Sequence, residues 1–207
     1  MEQKRLFVSH KDESVRMFKS DFLDLFSRVS YWVPMAIFIP VVTLFFCLSI
    51  FYYELSFLTT LGYFGLGLFF WTIFEYVMHR FIFHYHPTSK LGQRIHFVTH
   101  GVHHDYPNDS KRLVMPPGVS LPIGLFFYGV YYFAFGEAIC SALFSGFCFG
   151  YVVYDTLHFA SHYSNWQNPI FQSIKKHHMR HHYQDPDKGF GFTSKFWDHI
   201  FGSNFKD

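Results

Sequence analysis

Four stretches of this 207-residue chain carry no charged side chain: Tyr31 to Tyr53, Leu55 to Phe74, Leu113 to Gly136 and Ala138 to Tyr154. Single glutamates, Glu54 and Glu137, part them in pairs. About 20 apolar residues cross a bilayer core as a helix, so each stretch is close to one span. Half of the chain is hydrophobic and only 15% is charged, too little polar surface to cover four such helices in water. The fold class is therefore an all-α integral membrane protein. Its four transmembrane helices, at about 31–53, 55–78, 116–136 and 138–158, form two hairpins with tight turns near Glu54 and Glu137. The last uncharged stretch is short, and its helix is expected to run on past Asp155.

The basic residues orient the bundle. Six Lys and Arg precede residue 31, five lie between 79 and 117, and six follow 157, which accounts for all 17. The turns carry none, so both termini and the central loop are expected on the cytoplasmic face, of a bacterial inner membrane or an endoplasmic reticulum. No secretory signal is visible in the charged and polar first thirty residues. Residues 1–30 form an N-terminal segment in which Met17, Phe18, Phe22, Leu25, Phe26 and Val29 recur at helical spacing. Such a helix lies on the membrane surface or packs on the rest of the cytoplasmic side. Residues 31–207 form one domain, with 79–115 and 159–207 as a cytoplasmic helical cap. A net charge of +2 gives no case for a nucleic-acid partner. Cys47, Cys140 and Cys148 lie in apolar runs without paired spacing, which argues against disulfides and sulfur-ligated metal.

All 15 histidines fall on the cytoplasmic side of this scheme. Ten stand in four groups: His79 and His84; His100, His103 and His104; His158 and His162; and His178, His181 and His182. Residues at i, i+3 and i+4 share a helix face, so each His-x-x-His-His triple can present three imidazoles together. His79 and His84, five apart, would splay on an unbroken helix, which is expected to bend or end before Pro87. The two halves of the chain repeat one order: an acid (Glu75 or Asp155), two histidines, the triple beginning sixteen positions after the second of them, then a polar stretch with proline, "DYPND" or "YQDPD". This reads as two facing half-sites of five ligands each.

Imidazole suits Zn, Cu, Fe and Ni. One four-coordinate zinc needs only four ligands, so ten point to two metals with about five nitrogens each. His86, His96 and His177 read as hydrogen-bond partners of ligand rings, with His96, four before His100, the rival ligand. His10 and His199 read as incidental. Glu75, four before His79, and Asp155, three before His158, could accept a ligand's other ring N–H or mark a helix end in the headgroup region. Tyr154 could reach the site or anchor its helix at the interface. Paired Glu-x-x-His and His-Glu-x-x-His motifs are absent, which disfavours di-iron carboxylate bundles and zinc peptidases.

The stretches "HRFIFH", "HGVHHDYPNDSKRLVMPP", "DTLHFASH" and "HHMRHHYQDPDKGFGFTSKFWDHIFG" resemble the membrane fatty acid hydroxylase superfamily, most of all its fatty acid 2-hydroxylase branch, from about Tyr31 to Gly202. "RLVMPP" and "GFGFTSKFWD" are the parts more particular to that branch. The resemblance implies a cytoplasmic cap over a dimetal centre held by His79, His84, His100, His103, His104, His158, His162, His178, His181 and His182. It implies O2-dependent hydroxylation at carbon 2 of a long-chain fatty acid or sphingolipid acyl chain. Breaking an unactivated C–H bond needs a redox metal, so iron is expected in the active enzyme, with zinc an alternative after purification. There is no room before Tyr31 for the cytochrome b5 domain that some members carry. Electrons are expected from a separate donor, cytochrome b5-like or a ferredoxin with its reductase. The alternatives are a sterol desaturase-like or carotenoid hydroxylase-like oxidase or, in another class, a divalent-metal transporter or sensor. Transporters place polar ligands near the membrane midplane, and these spans have none there.

Overall fold

A computed structural model of the chain describes residues 6–206, so Lys4 and Arg5, two of the 17 basic residues, lie outside it. The described residues contain helices and no strand. After a six-residue helix α1 (Asp21–Phe26), α2 (Trp32–Phe51) and α3 (Phe57–Val77) follow, α3 running on into a π-helical turn, Met78–Phe83. Next come α4 (Lys90–His96), a second π turn (Phe97–Gly101), α5 (Val102–Asp105), the long α6 (Pro117–Tyr163), α7 (Pro169–Tyr183) and α8 (Phe196–Ile200). Three helices are long and apolar enough to cross a membrane: α2, α3 with its π turn, and α6.

The expected third and fourth helices both lie within α6, which is two helical arms joined at a kink. Gly136 leaves helical geometry at φ 77° and ψ 169°, a left-handed conformation open to glycine at little cost. The two arms run back along each other. The Tyr151 hydroxyl donates to the Met115 carbonyl (3.3 Å), Phe127 packs on Phe147 (4.5 Å between rings), and Tyr128 packs on Phe144 (5.3 Å). The reversal between α2 and α3 passes through Glu54, at φ 55°, and the Ser56 hydroxyl then caps α3 by accepting from Thr59 N (3.1 Å). The two turns meet at one end of the bundle, where the Tyr53 hydroxyl donates to Glu137 (3.4 Å). The histidines lie at the other end.

The second arm of α6 is the central helix. Cys140, Leu143, Phe144, Phe147, Cys148, Tyr151 and Val152 on it form the core with Phe38 and Trp71. Small residues let α3 approach it closely: a Cβ on Gly67 would fall on the Leu143 carbonyl, and one on Gly146 on the Phe64 carbonyl. The outer faces expose Phe51, Leu58, Leu125, Phe126 and Phe133, the last 87% exposed, as a lipid-facing surface would.

The N-terminal segment corrects the expected amphipathic helix. Among its described residues, only Asp21–Phe26 is helical. Met17 and Val29 turn inward, while Phe22, Leu25 and Phe26 are more than 60% exposed. The segment lies along the cap: Val8 N donates to Asp105 O (2.8 Å) and Val29 N to Lys111 O (2.7 Å). Buried Asp24 accepts from Met17 N (2.7 Å) and pairs with Arg28 (2.5 Å) and Arg112 (3.5 Å).

Candidate metal centre

The ten histidines of the four sequence groups come together at the cap end of the bundle, in two clusters of five. The first holds His79, His84, His100, His104 and His181; the second holds His103, His158, His162, His178 and His182. In each, one nitrogen from every ring lies within 4.8 Å of the others. Each cluster could hold a metal ion.

The membership corrects the half-by-half partition. His103 and His181, the middle histidine of each triple at i+3, cross to the opposite cluster. On a helix, i and i+4 lie nearly one above the other, whereas i+3 falls on the other flank of the same face. The pairs His100/His104 and His178/His182 stay together, and the residue between them reaches past to the neighbour. The crossing interleaves the clusters: the His104 and His182 rings stack 4.2 Å apart.

Both π turns shape the first cluster. His84 N donates to His79 O (3.1 Å), an i to i+5 bond. The extra residue in the turn brings onto one face two rings that an α-helix would splay. The helical residues end at Phe83, with His84 as the cap, so the helix does end before Pro87 as expected; the π turn that brings the two rings together is what the spacing did not show. The second π turn, Phe97–Gly101, breaks the i, i+4 register between His96 and His100, and His96 belongs to neither cluster. It packs near His86 (6.3 Å between rings), and His86 pairs with Asp187 (3.2 Å) at the surface.

Three backbone carbonyls orient the rings. Nδ1–H of His79 donates to Phe190 O (2.6 Å), that of His158 to Leu113 O (2.7 Å), and that of His181 to Lys188 O (2.7 Å). A carbonyl only accepts, so these Nδ1 atoms carry the proton and the Nε2 atoms keep lone pairs. Those lone pairs converge. Nε2 of His181 lies 3.0 Å from Nε2 of His84 and 3.2 Å from that of His104; Nε2 of His158 lies 3.1 Å from that of His103. Both ring nitrogens of buried His182 have no hydrogen-bond partner among the described residues. Buried, converging and unpaired nitrogens of this kind fit a cation. Burial, followed by the neighbouring imidazoles, pushes His84, His100, His103, His104, His178, His181 and His182 below the ordinary histidine value. The rings are neutral, the form that binds metal.

Neither acid acts on its neighbouring histidine. The Glu75 carboxylate accepts from Phe192 N (2.8 Å), Thr193 N (2.8 Å) and the Thr193 hydroxyl (2.6 Å). Asp155 accepts from Met115 N (3.3 Å), two residues from the carbonyl that holds His158. Sequence nearness misled because each side chain points across the bundle to a loop, not along its own helix. Tyr154 does reach the cluster: its ring stacks on His158 (5.6 Å, 7°) and meets Phe192 edge-on (5.4 Å).

Sequence reasoning missed Asp198. Fully buried, it accepts from Phe190 N (3.0 Å), Gly191 N (2.9 Å), the Ser203 hydroxyl (2.7 Å) and His177 (3.0 Å). Burial alone would raise its pKa, but the bonds from His177, Ser203 and Gly191 hold it below the usual value. Asp198 and Glu75 together pin residues 190–193, the centre of "GFGFTSKFWD". His177 therefore supports the loop, not a ligand ring. His199, at the surface beside Asn204 (3.1 Å), has no part in the clusters, and His10 packs with Phe7 and Tyr183.

Known proteins resemble this chain in sequence and fold. The sequence profile of the fatty acid hydroxylase family matches residues 64–203. The chain is 36% identical over 192 residues to the dihydroceramide fatty acyl 2-hydroxylase FAH1 of Arabidopsis thaliana, covering 92% of this chain and 80% of that one. It is 37% identical to the ceramide very long chain fatty acid hydroxylase SCS7 of Saccharomyces cerevisiae, covering 88% of this chain and 48% of that one. The solved structure of full-length scs7p, in which only the hydroxylase domain is visible, superposes with a TM-score of 0.84 at 36% identity, covering 90% of this chain and 70% of that one.

Proposed function

Because this chain belongs to the fatty acid hydroxylase family, a family of oxidoreductases, we propose that it hydroxylates carbon 2 of a long acyl chain, free or within a sphingolipid. The observation that carries the reading is the convergence of ten histidines, their Nε2 lone pairs turned inward, at the end of an apolar bundle. We assign His79, His84, His100, His104 and His181 to one metal ion and His103, His158, His162, His178 and His182 to the other. Two iron ions held there supply the redox chemistry with O2 that an unactivated C–H bond demands. In this reading a separate redox protein supplies the electrons, and the bundle crosses the membrane four times with both termini and the clusters on the cytoplasmic side.

The chain's own residues then have separable tasks. The carbonyls of Leu113, Lys188 and Phe190 fix ring tautomer and angle. Glu75 and Asp198 hold the loop that provides two of those carbonyls, and Asp155 holds the segment that provides the third. Asp155 is thus a positioning residue. Tyr154 and Phe192 wall the second cluster against water and face the space an acyl chain would occupy. Placement decides which carbon reacts, since an error of about 1 Å can cost about a hundredfold in rate.

The test is expression with a reductase system and mass spectrometry of hydrolysed lipids. A hydroxyl at carbon 2, lost in His178→Ala, is expected. A new double bond or an oxidised ring lipid would move the chain to a sterol desaturase-like or carotenoid hydroxylase-like activity. For the topology, cysteines placed at Glu54 and Glu137 in a background without Cys47, Cys140 and Cys148 are expected to react with an impermeant thiol reagent on intact cells. Labelling only after lysis would invert the orientation.

A further inference from the structure

Helix α1 is turned the wrong way for a helix in water. Its Asp24 carboxylate is buried, while Phe22, Leu23, Leu25 and Phe26 are between 51% and 68% exposed. The Phe22 and Phe26 rings touch, with 4.5 Å between their centres, so the exposed side chains form one apolar pad. A pad of this kind on a soluble surface marks a contact with lipid or with another protein.

The buried side of α1 sets where the pad points. Asp24 accepts from Met17 N (2.7 Å) and Phe18 N (3.2 Å), and it bridges Arg28 (2.5 Å) and buried Arg112 (3.5 Å). Turning the helix to bury its rings would pull this carboxylate off two guanidinium groups and two backbone N–H groups. A buried charge that loses its partners is costly, so the cap holds the pad outward.

Continuity with the bundle tells what covers the pad. Phe26 lies six positions before Trp32, the first residue of α2, a reach of at most about 20 Å. The Val29 N bond to Lys111 O (2.7 Å) folds the connection back and shortens it. Exposed Tyr31 and Trp32, residue types that favour the boundary between lipid and water, begin the apolar outer face of α2, which Ile39 and Leu44 continue. The pad is therefore an extension of the surface that the bundle presents to lipid. Its flanks are basic: Lys19 precedes the capping residue Ser20, and Arg28 follows the helix, both exposed. An apolar face with cations at its edges suits the headgroup boundary of a bilayer.

We propose that α1 is an interfacial foot, with Phe22, Leu25 and Phe26 seated in the boundary layer of the bilayer at the histidine end of the bundle. The foot requires the bundle to lie in lipid and does not depend on the reaction at the metal centre.

The experiment places an environment-sensitive fluorophore on a single cysteine of the full chain, without Cys47, Cys140 and Cys148, in phosphatidylcholine nanodiscs. Phe26→Cys reports on the foot and Leu44→Cys on the bundle, each with metal content unchanged. Lipid carrying a nitroxide at carbon 5 of its acyl chain is expected to cut both emissions at least twofold, and an aqueous nickel chelate to cut them less. Stronger quenching of the Phe26 label by the aqueous ion would overturn the foot. Protection from both quenchers would put a second copy or another protein on the pad and overturn it equally. A Leu44 label quenched only from water would take the bundle out of lipid, and the foot with it. Because the fluorophore is itself apolar, Phe22→Asp is added to Phe26→Cys. The carboxylate is expected to lower lipid quenching at least threefold, and undiminished quenching would show that the label, and not the pad, seeks the lipid.

Discussion

The two histidine clusters have the same composition and different surroundings. The first is enclosed: Phe83 stacks on His100 (5.0 Å), Phe190 lies edge-on to His79 (5.8 Å), and two of its rings are held by carbonyls of the 188–190 loop. The other cluster, the open one, borders two cavities, although its rings are no more exposed: only His162 is half-buried, against His104 in the first. Phe192 separates it from a cleft of about 510 Å³ lined by Ile170, Thr193 and Phe196 among others, and His162 borders an open cavity of about 360 Å³ with His10, Asn108, Lys175, Met179 and Tyr183. The clusters therefore differ in the cavities beside them, both of which lie next to the second, and not in the burial of their rings.

The sharpest way to break the comparison uses the crossing ligands. His181→Ala removes a ligand from the enclosed cluster and His103→Ala one from the open cluster, although each sits in the other cluster's triple. Each variant is expected to lose roughly one metal per chain by elemental analysis and at least a hundredfold in activity. If both keep two metals and full activity, the ligand assignment is wrong. If His181→Ala empties the cluster of its own helix, the crossing is wrong.

The crossing was beyond the reach of the sequence for a physical reason. Spacing tells which rings share a helix face, and it drew the ten histidines together from four groups. It does not tell how two facing helices interleave. The uncharged stretches likewise announced the apolar arms and both reversals, because length and charge alone decide what can lie in lipid. A π turn adds one residue without a composition of its own; the five-residue gap between His79 and His84 was its trace, and it read as a break. The carbonyls of Leu113, Lys188 and Phe190 have no side-chain signature at all, so the nearby acids Glu75 and Asp155 took the role that backbone fills.

The supports give a further, smaller contrast. Asp198→Asn weakens the loop that orients His79 and His181, in the enclosed cluster. Asp155→Asn weakens the 113–115 segment that orients His158, in the open one. Loss of such a supporting bond is expected to cost about 10–100-fold in metal affinity, each in its own cluster. Cobalt substitution read by absorption separates them, because a purely structural defect would lower both clusters together.

Acid should tell the clusters apart by rate. Seven of the ten rings, lying in cap segments of both clusters, have pKa values below the ordinary one. The unfolded chain then binds more protons than the folded one below pH about 6.5. Stability and metal binding are fully present above that pH and fall as pH drops from there towards the folded values. Chelator stripping at pH 5 is expected in two phases, several-fold apart, with the open cluster emptying first through the cavity beside His162. A single phase, or a fast phase that survives in His103→Ala, would show that the surroundings do not control access.

The smallest expected effect isolates one oxygen atom. Each cluster has an aromatic ring stacked flat on a ligand: Phe83 on His100 at 16°, and Tyr154 on His158 at 7°. The enclosed cluster needs no hydroxyl there, and the Tyr154 hydroxyl makes no hydrogen bond among the described residues. Tyr154→Phe gives the open cluster the pattern of the enclosed one and keeps the stack. It is expected to change kcat by less than about threefold with two metals retained, while Tyr154→Ala, which removes the wall itself, costs tenfold or more through lost placement of the acyl chain. If Tyr154→Phe alone loses tenfold in kcat with metal content and KM unchanged, the hydroxyl takes part in the reaction. The two clusters would then differ in chemistry as well as in the cavities beside them.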